Sequence, residues 1–440
     1  MSASPSAAPR VDLPILRHDL SCGVRLLVSP RVDAPVAALS MHMRGGAALD
    51  PEGKHGTAWM TGGLVDEGTA KHDEEQIAEL LESAGGSLHG DANGLSGSIA
   101  ATHWERLVDL ACEAITQPTF PAALVTRQKQ RLLDRLLVER DDPRVQGERL
   151  FRRLVYGEHW LGRAPTGTLE SVARIRRADL VRFHRTHWMP QRALLALCAD
   201  VDHEAARRRF ERRLQGWKPG RNTPPPKPGF PEREVRTAVF PSERAQVHLY
   251  VGHLGVRRND PDFPALVVMD HVLGTGPGFT NRISRRLRDE LGLAYTVHAS
   301  IHHSAGVNPG TFTAYIGTSP QHLTTALEGF LEEIRRIQAE PVGDDELAVA
   351  KDYVVGSFAL GFQRSSRRAG YLISQERHGL PDDHLERYPR ELAAVTAADV
   401  QRVARAHLFP DAVCVSAAGP VTGADLERAV RRALRRRKRA

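Results

Sequence analysis

Two stretches of this chain repeat one another at a fixed distance, and that repeat constrains the fold more than any other feature. Ala178-Asp-Leu-Val-Arg-Phe-His-Arg-Thr-His-Trp-Met-Pro190 leads into the apolar run Ala193-Leu-Leu-Ala-Leu-Cys-Ala199. Ala398-Asp-Val-Gln-Arg-Val-Ala-Arg-Ala-His-Leu-Phe-Pro410 leads into Ala412-Val-Cys-Val-Ser-Ala-Ala418. The Ala-Asp pair, the His and the Pro each recur at an offset of 220, and Ile175 matches Val395 at the same offset. Self-similarity of this length implies two copies of one fold. Midway lies Trp217-Lys-Pro-Gly-Arg-Asn-Thr-Pro-Pro-Pro-Lys-Pro-Gly-Phe-Pro231, which has no hydrophobic period. Proline fixes φ and lacks an N–H, so this segment is expected to be an extended linker. The expected organisation is one domain over 1–216, a linker over 217–231, and a second domain over 232–440.

Local patterns indicate what each copy contains. Val24-Arg-Leu-Leu-Val28 and Val36-Ala-Ala-Leu-Ser-Met-His-Met43 read as strands. Asp73-Glu-Glu-Gln76 is a capping box that opens a helix with Ile77, Leu80, Leu81 and Ala84 on one face, closed by Gly85-Gly86. Phe263 to Leu273 and Leu323 to Ile337 carry helical periods. Strands cluster with helices instead of alternating one for one. The expected class is α+β: two homologous domains, each a mainly antiparallel sheet backed by helices.

Composition narrows the function. Apolar residues make up 41 % and charged residues 26 %, which excludes a wholly disordered or fibrous chain. No window approaches a membrane span of about 18 apolar residues, and the N-terminus lacks a secretory pattern. A cytoplasmic location with no membrane contact is expected. The net charge of +7 comes from the end of the chain: residues 431–440 hold seven basic residues and no acid. Without them the body is balanced, so no nucleic-acid groove is expected. The tail reads as a solvated helix end, where cations suit the helix dipole. Four cysteines, Cys22, Cys112, Cys198 and Cys414, form no C-x-x-C pair and read as buried inert thiols in a reducing compartment.

Two further stretches resemble one family. Asp19-Leu-Ser-Cys-Gly-Val-Arg-Leu-Leu-Val-Ser-Pro30 looks like its opening strand, and Met43 through Thr69 looks like the stretch that carries its metal motif. The family is the M16, or pitrilysin-like, zinc peptidases, and the similarity spans almost the whole chain. It implies one half of a clamshell chamber. Active members carry H-x-x-E-H, two His for zinc and a Glu as general base on bound water. Gly56-Thr57-Ala58 before the motif and Gly68-Thr69 after it put that motif at Trp59-Met60-Thr61-Gly62-Gly63. Trp59 and Gly63 stand at the His positions and Gly62 at the base. The third ligand position falls near Arg135, with Asp134 and Glu139 as alternatives. Glycine offers no ligand atom and tryptophan only a donor, so no metal or other cofactor is expected in this chain by that route. The pairs His184/His187 and His302/His303, with His298, read as ordinary histidines without a completing third ligand.

The second half keeps what the first has lost. Leu273 through Ser300 resembles the family's second conserved stretch, in which an Arg near a helix end and a Tyr on the next strand contact substrate and help stabilise the oxyanion. Those positions match Arg288 and Tyr295. Gly292 is expected to end the helix, and Leu293, Tyr295, Val297 and Ala299 to alternate along one strand face. The bland reading makes Arg288 one of several solvated arginines, with Arg282, Arg285 and Arg286, and Tyr295 a core residue. Gly274-Thr-Gly-Pro-Gly278 lacks the P-loop residues and reads as a flexible turn. The one-sided loss points to complementation in a heterodimer. A zinc-bearing homologue would supply metal and base, and this chain would supply Arg288 and Tyr295 toward an extended peptide substrate. The rival expectation is a structural or peptide-binding homologue, like core subunits of a respiratory complex.

Overall fold

The computed structural model describes residues 11–221, 224–226, 228–276 and 281–435. Eleven strands among them form two sheets. The first contains β1 (Leu16–Asp19), β2 (Arg25–Pro30), β3 (Val36–Met43), β4 (Ser87–Asp91), β5 (Gly94–Ala100) and β6 (Ala193–Ala199). The second contains β7 (Arg236–Pro241), β8 (Val247–Leu254), β9 (Val297–Ser300), β10 (Thr311–Thr318) and β11 (Cys414–Gly419). Their orders are β1-β2-β6-β3-β5-β4 and β7-β11-β8-β10-β9. Apart from the extra edge strand β1, the two orders are the same. In each sheet one pair is parallel, β2 with β6 and β7 with β11, and the remaining pairs are antiparallel.

The repeat seen in the sequence is a repeat in register. Arg25 lies opposite Leu194 and Arg236 opposite Cys414, and Leu194 and Cys414 are the residues related by 220. On the other side, His42 pairs with Leu194 and Gly252 with Cys414. The repeated helices are Arg177–His187 and Ala397–His407. The fold is α+β, two similar mixed sheets backed by helices, as the sequence suggested.

β6 and β11 are buried along their whole length. A strand with apolar residues on both faces needs cover on both. One face of each sheet packs on helices of its own half. In the first half Leu107, Ala111 and Leu180 meet Leu39, Leu195 and Leu197. In the second, Leu327, Phe330 and Val403 meet Leu249, Val251 and Val415.

The other face is covered by exchange. The helix Pro143–Tyr156 from the first half lies on the second sheet, where Phe151, Val155 and Tyr156 pack with Tyr250, Tyr315 and Cys414. Ser416 Oγ donates to Gly147 O at 2.7 Å and Tyr250 Oη to Arg144 O at 2.9 Å. A Cβ on Gly147 would sit 2.9 Å from the Tyr250 ring, so only glycine allows this approach. The helix Ser365–His378 does the same for the first sheet, with Ala369, Leu372 and Ile373 against Leu27, Ala38, Leu194 and Cys198. Each half therefore completes the other's core.

Several local expectations hold and two do not. The capping box at Asp73 and Gln76 is present in both directions. The cysteines are all free; Cys112, Cys198 and Cys414 are buried, but Cys22 is only partly so. In the segment Gly274–Gly278, the described residues Gly274–Gly276 are not a simple flexible turn. His271–Thr275 continues the helix Phe263–Asp270 as a wide π-type turn. Gly274 is packed so closely on β9 that a Cβ would lie 2.6 Å from Ala299 N. Pro277 and Gly278, at the end of that segment, lie outside the described residues, as do Arg436–Ala440 of the basic tail. No helix among the described residues is long and apolar enough to cross a membrane.

Candidate active site and its two halves

The degenerate motif sits on the short helix Thr57–Gly62. Its N-terminus is held by Asp50, whose Oδ2 accepts from Gly56 N at 2.8 Å and Oδ1 from Ala58 N at 2.7 Å. Burial pushes the Asp50 carboxyl up to about 6, against the pull of those two donors. Trp59 packs, partly buried, on the core of the first half. Gly62 is buried and touches the end of β4: a Cβ there would lie 1.6 Å from Asp91 O and 2.2 Å from Asp91 C. The contact is with backbone, so no rotamer relieves it. Gly63 is roomier, with Trp59 O at 3.4 Å and Gln128 Nε2 at 3.6 Å from the corresponding point.

These residues do not fit a zinc ion. No ligand atom stands at 59, 62 or 63, and the backbone has closed over the place where a general base would project. Arg135 does not face them. Its Nε donates to Glu139 Oε1 at 2.6 Å, and its side chain is largely exposed. Glu139 is also paired with Arg149, and Asp134 accepts from Gln130 Nε2 at 2.8 Å. The side chain that faces Gly63 from the helix Ala122–Arg140 is Gln128, which sequence reasoning missed; it stands seven residues before Arg135, on the same helix face. Among the described residues, groups of three potential ligands lie elsewhere, at His18/His203/Glu204 and Asp260/Asp262/His407.

Arg288 and Tyr295 are brought together. Asn281 Oδ1 caps the Arg-rich helix by accepting from Ser284 N at 2.8 Å. The helix widens over Arg285–Glu290 and ends as Gly292, at φ +61, donates its N–H to Arg288 O at 3.1 Å. Leu293 N then donates back to Leu287 O at 2.9 Å. Closing the helix in this way uses residues 291–294, so the chain does not extend until β9 begins at Val297. Tyr295 is thus in the bend before the strand and not on its face, a correction to the expected alternation. Leu293 is buried, whereas Tyr295 is 83 % exposed.

The Arg288 guanidinium lies over the Tyr295 ring, 4.7 Å from its centroid. Such a contact at an exposed site contributes about 0.5–1 kcal/mol. It sets the two side chains against one another, and Arg288 Nε also lies 4.0 Å from Asp289 Oδ1. The neighbouring arginines have other work. Arg282 is buried and forked onto Glu346 at 2.9 and 2.7 Å. Arg286 pairs with Glu290 at 3.0 Å and Glu332 at 3.8 Å. Tyr295 is therefore not a core residue, and Arg288 is distinguished from the others by what it covers. The pair can donate hydrogen bonds to a carbonyl oxygen as negative charge develops there.

Comparisons with known proteins agree with this layout. Residues 174–354 match the family model described as the peptidase M16 inactive domain. An uncharacterised zinc protease of Streptomyces coelicolor is 24 % identical over 411 residues, 89 % of this chain and 86 % of that one. The crystal structure of a peptidase M16 inactive domain from Pseudomonas fluorescens superposes with a TM-score of 0.85 at 23 % identity, covering 93 % of this chain and 98 % of that one. A chain of the complex III2 structure from Candida albicans gives a TM-score of 0.78 at 14 % identity, covering 96 % of this chain and all of that one (100 %). At such identities the structural matches speak to fold alone. The chain is thus similar over most of its length to M16-type zinc proteases, and its residues 174–354 match the model of the peptidase M16 inactive domain.

Proposed function

We propose that this chain is the non-catalytic subunit of a heteromeric M16-type zinc peptidase, working beside a zinc-bearing homologue on extended peptides. The observation that carries the reading is the contrast between Gly62, sealed against Asp91, and Tyr295, held in solvent under Arg288. An exposed tyrosine braced by a cation has no packing role to explain it. A chain that neither binds zinc nor supplies a base can still contribute donors to a transition state formed in a partner. In this reading the partner provides the metal and the general base. Arg288 and Tyr295 provide hydrogen bonds to the scissile carbonyl oxygen, and the substrate pairs with a sheet edge of the partner. The free thiols suit a reducing compartment such as the cytoplasm, and neither membrane nor nucleic acid enters the reading.

The similarity to a chain of complex III2 favours a second reading, in which the protein is a structural or peptide-binding homologue without a proteolytic role. Reconstitution separates the two. The chain is mixed with a zinc-bearing homologue from the same source, and cleavage of a quenched peptide is followed. Activity that requires both chains supports complementation. Activity of the partner alone that the chain leaves unchanged supports the structural reading.

A further inference from the structure

A cavity of about 670 Å³ opens between the two halves, and its wall is strongly cationic. Arg44 follows β3 and Arg192 precedes β6 in the first half; Arg257 follows β8, and Arg377 closes the helix Ser365–His378, in the second. The first three stand at equivalent ends of the two sheets, and the exchanged helix Ser365–His378 brings Arg377 to them. Among the described residues, Arg44, Arg257 and Arg377 have no ion-pair partner. The one acid in the wall, Glu376, is already engaged by Arg25 at 2.7 Å and Arg17 at 3.6 Å. His42 records the resulting field. Burial first, and then the charges of Arg377 and Arg44, bring its pKa down to about 3. Arg377 is itself shifted down by burial. Arg44, Arg257 and Arg377 are nonetheless exposed in this open cavity, and three like charges around one concave space raise the local concentration of an anion that can bridge them.

We propose that this cavity binds a small, multiply charged oxyanion, held by the guanidinium forks of Arg44, Arg257 and Arg377. Guanidinium matches phosphate and carboxylate oxygens in the same bidentate geometry, so both chemistries satisfy the wall. The volume is that of a small-molecule site, and Trp160, Asn93 and Asn308 add a ring face and amide groups around the charges. A ligand there would touch both halves at once and brace them. The inference does not depend on the peptidase reading.

The test uses the full chain and two probes, pyrophosphate and citrate, titrated calorimetrically at constant ionic strength. One saturable site is expected for at least one probe, and the tighter of the two identifies the ligand as phosphoryl or polycarboxylate. Arg257→Gln with Arg377→Gln removes two charged donors and is expected to weaken binding about tenfold to a hundredfold. Arg44→Gln alone provides a second variant; all three positions are exposed, so each substitution is expected to keep the fold. Arg428→Gln, on the distant helix Gly423–Arg435, is expected to leave binding unchanged. No saturable binding of either probe would overturn the proposal. So would binding that survives both cavity variants, which would place the anion elsewhere on this basic protein.

Discussion

Replacing Gly62 and Gly63 one at a time by alanine separates a closed metal site from one that merely lacks ligands. On the present backbone, a Cβ at position 62 would sit 1.6 Å from Asp91 O and 2.9 Å from Ala92 N. Ordinary non-bonded contacts begin near about 3.5 Å, so the helix Thr57–Gly62 or the end of β4 must move by about 1.5 Å or more. Overpacking of this kind costs about 1–3 kcal/mol. Alanine's better helix propensity returns at most about 1 kcal/mol. The net expectation for Gly62→Ala is a loss of about 2 kcal/mol. Gly63 lies at φ −73, ψ 8, open to any residue, and its nearest neighbours stand at 3.4 and 3.6 Å. Gly63→Ala is expected to be neutral or stabilising by about 0.4–1 kcal/mol, through the entropy of the unfolded chain. The unfolding free energies of the two variants, read from urea titrations, should therefore differ by about 2–3 kcal/mol. Equal midpoints, or a Gly62→Ala protein more stable than the parent, would refute the steric argument.

Other consequences follow from the same geometry. Restoring the motif with Trp59→His, Gly62→Glu and Gly63→His is expected not to give stoichiometric zinc by elemental analysis, because the third-ligand position still holds Arg135 and a side chain at 62 collides with Asp91 backbone, displacing the helix that carries both His. Phe151→Ala, which empties a fully buried site stacked on Tyr250 across the two halves, is expected to cost about 3–5 kcal/mol by the same urea assay. Acid is expected to destabilise the fold. Burial holds His184 and His253 at about 4, below the 6.5 of an unfolded imidazole. With the folded pKa depressed, the stability is present above pH 6.5 and is lost as pH falls toward 4. The slope is about 1.4 kcal/mol per pH unit for each such histidine. A urea midpoint that stays flat between about pH 7 and pH 5 would contradict this.

Much of the architecture could be read from the chain, and particular residues show why. Leu194 and Cys414 sit in apolar runs 220 residues apart, and runs of that kind are consistent with central strands covered on both faces, which is what they form. The sequence thus carried the need for cover, but not its source. That the helix Pro143–Tyr156 covers the second sheet depends on a long-range contact between Gly147 and Ser416, which has no local signature. Gly292 marked the helix end, and its φ of +61 bears that out. The bend at Tyr295 was hidden, because a wide last turn spends residues that an α-helical ending would have given to the strand. The glycines at 62 and 63 show in the sequence only that a base and a ligand are missing. Only the folded chain reveals that one of them is pressed against Asp91. The cavity arginines, at 44, 192, 257 and 377, are too scattered for any motif to gather them.

The central claim rests on Arg288 and Tyr295 acting in a partner's reaction, and turnover of the mixed complex measures it most directly. The chain, its Arg288→Ala and Tyr295→Phe variants, and Arg286→Ala as a neighbour paired with Glu290, are each combined with a zinc-bearing homologue. Size-exclusion chromatography verifies equal assembly, and kcat is read on one peptide. Losing one oxyanion donor typically lowers kcat by about 10²–10³. The expected result is that fall for Arg288→Ala and for Tyr295→Phe, with assembly retained and Arg286→Ala close to the parent. Full activity in both variants would contradict the account and leave the chain as a scaffold.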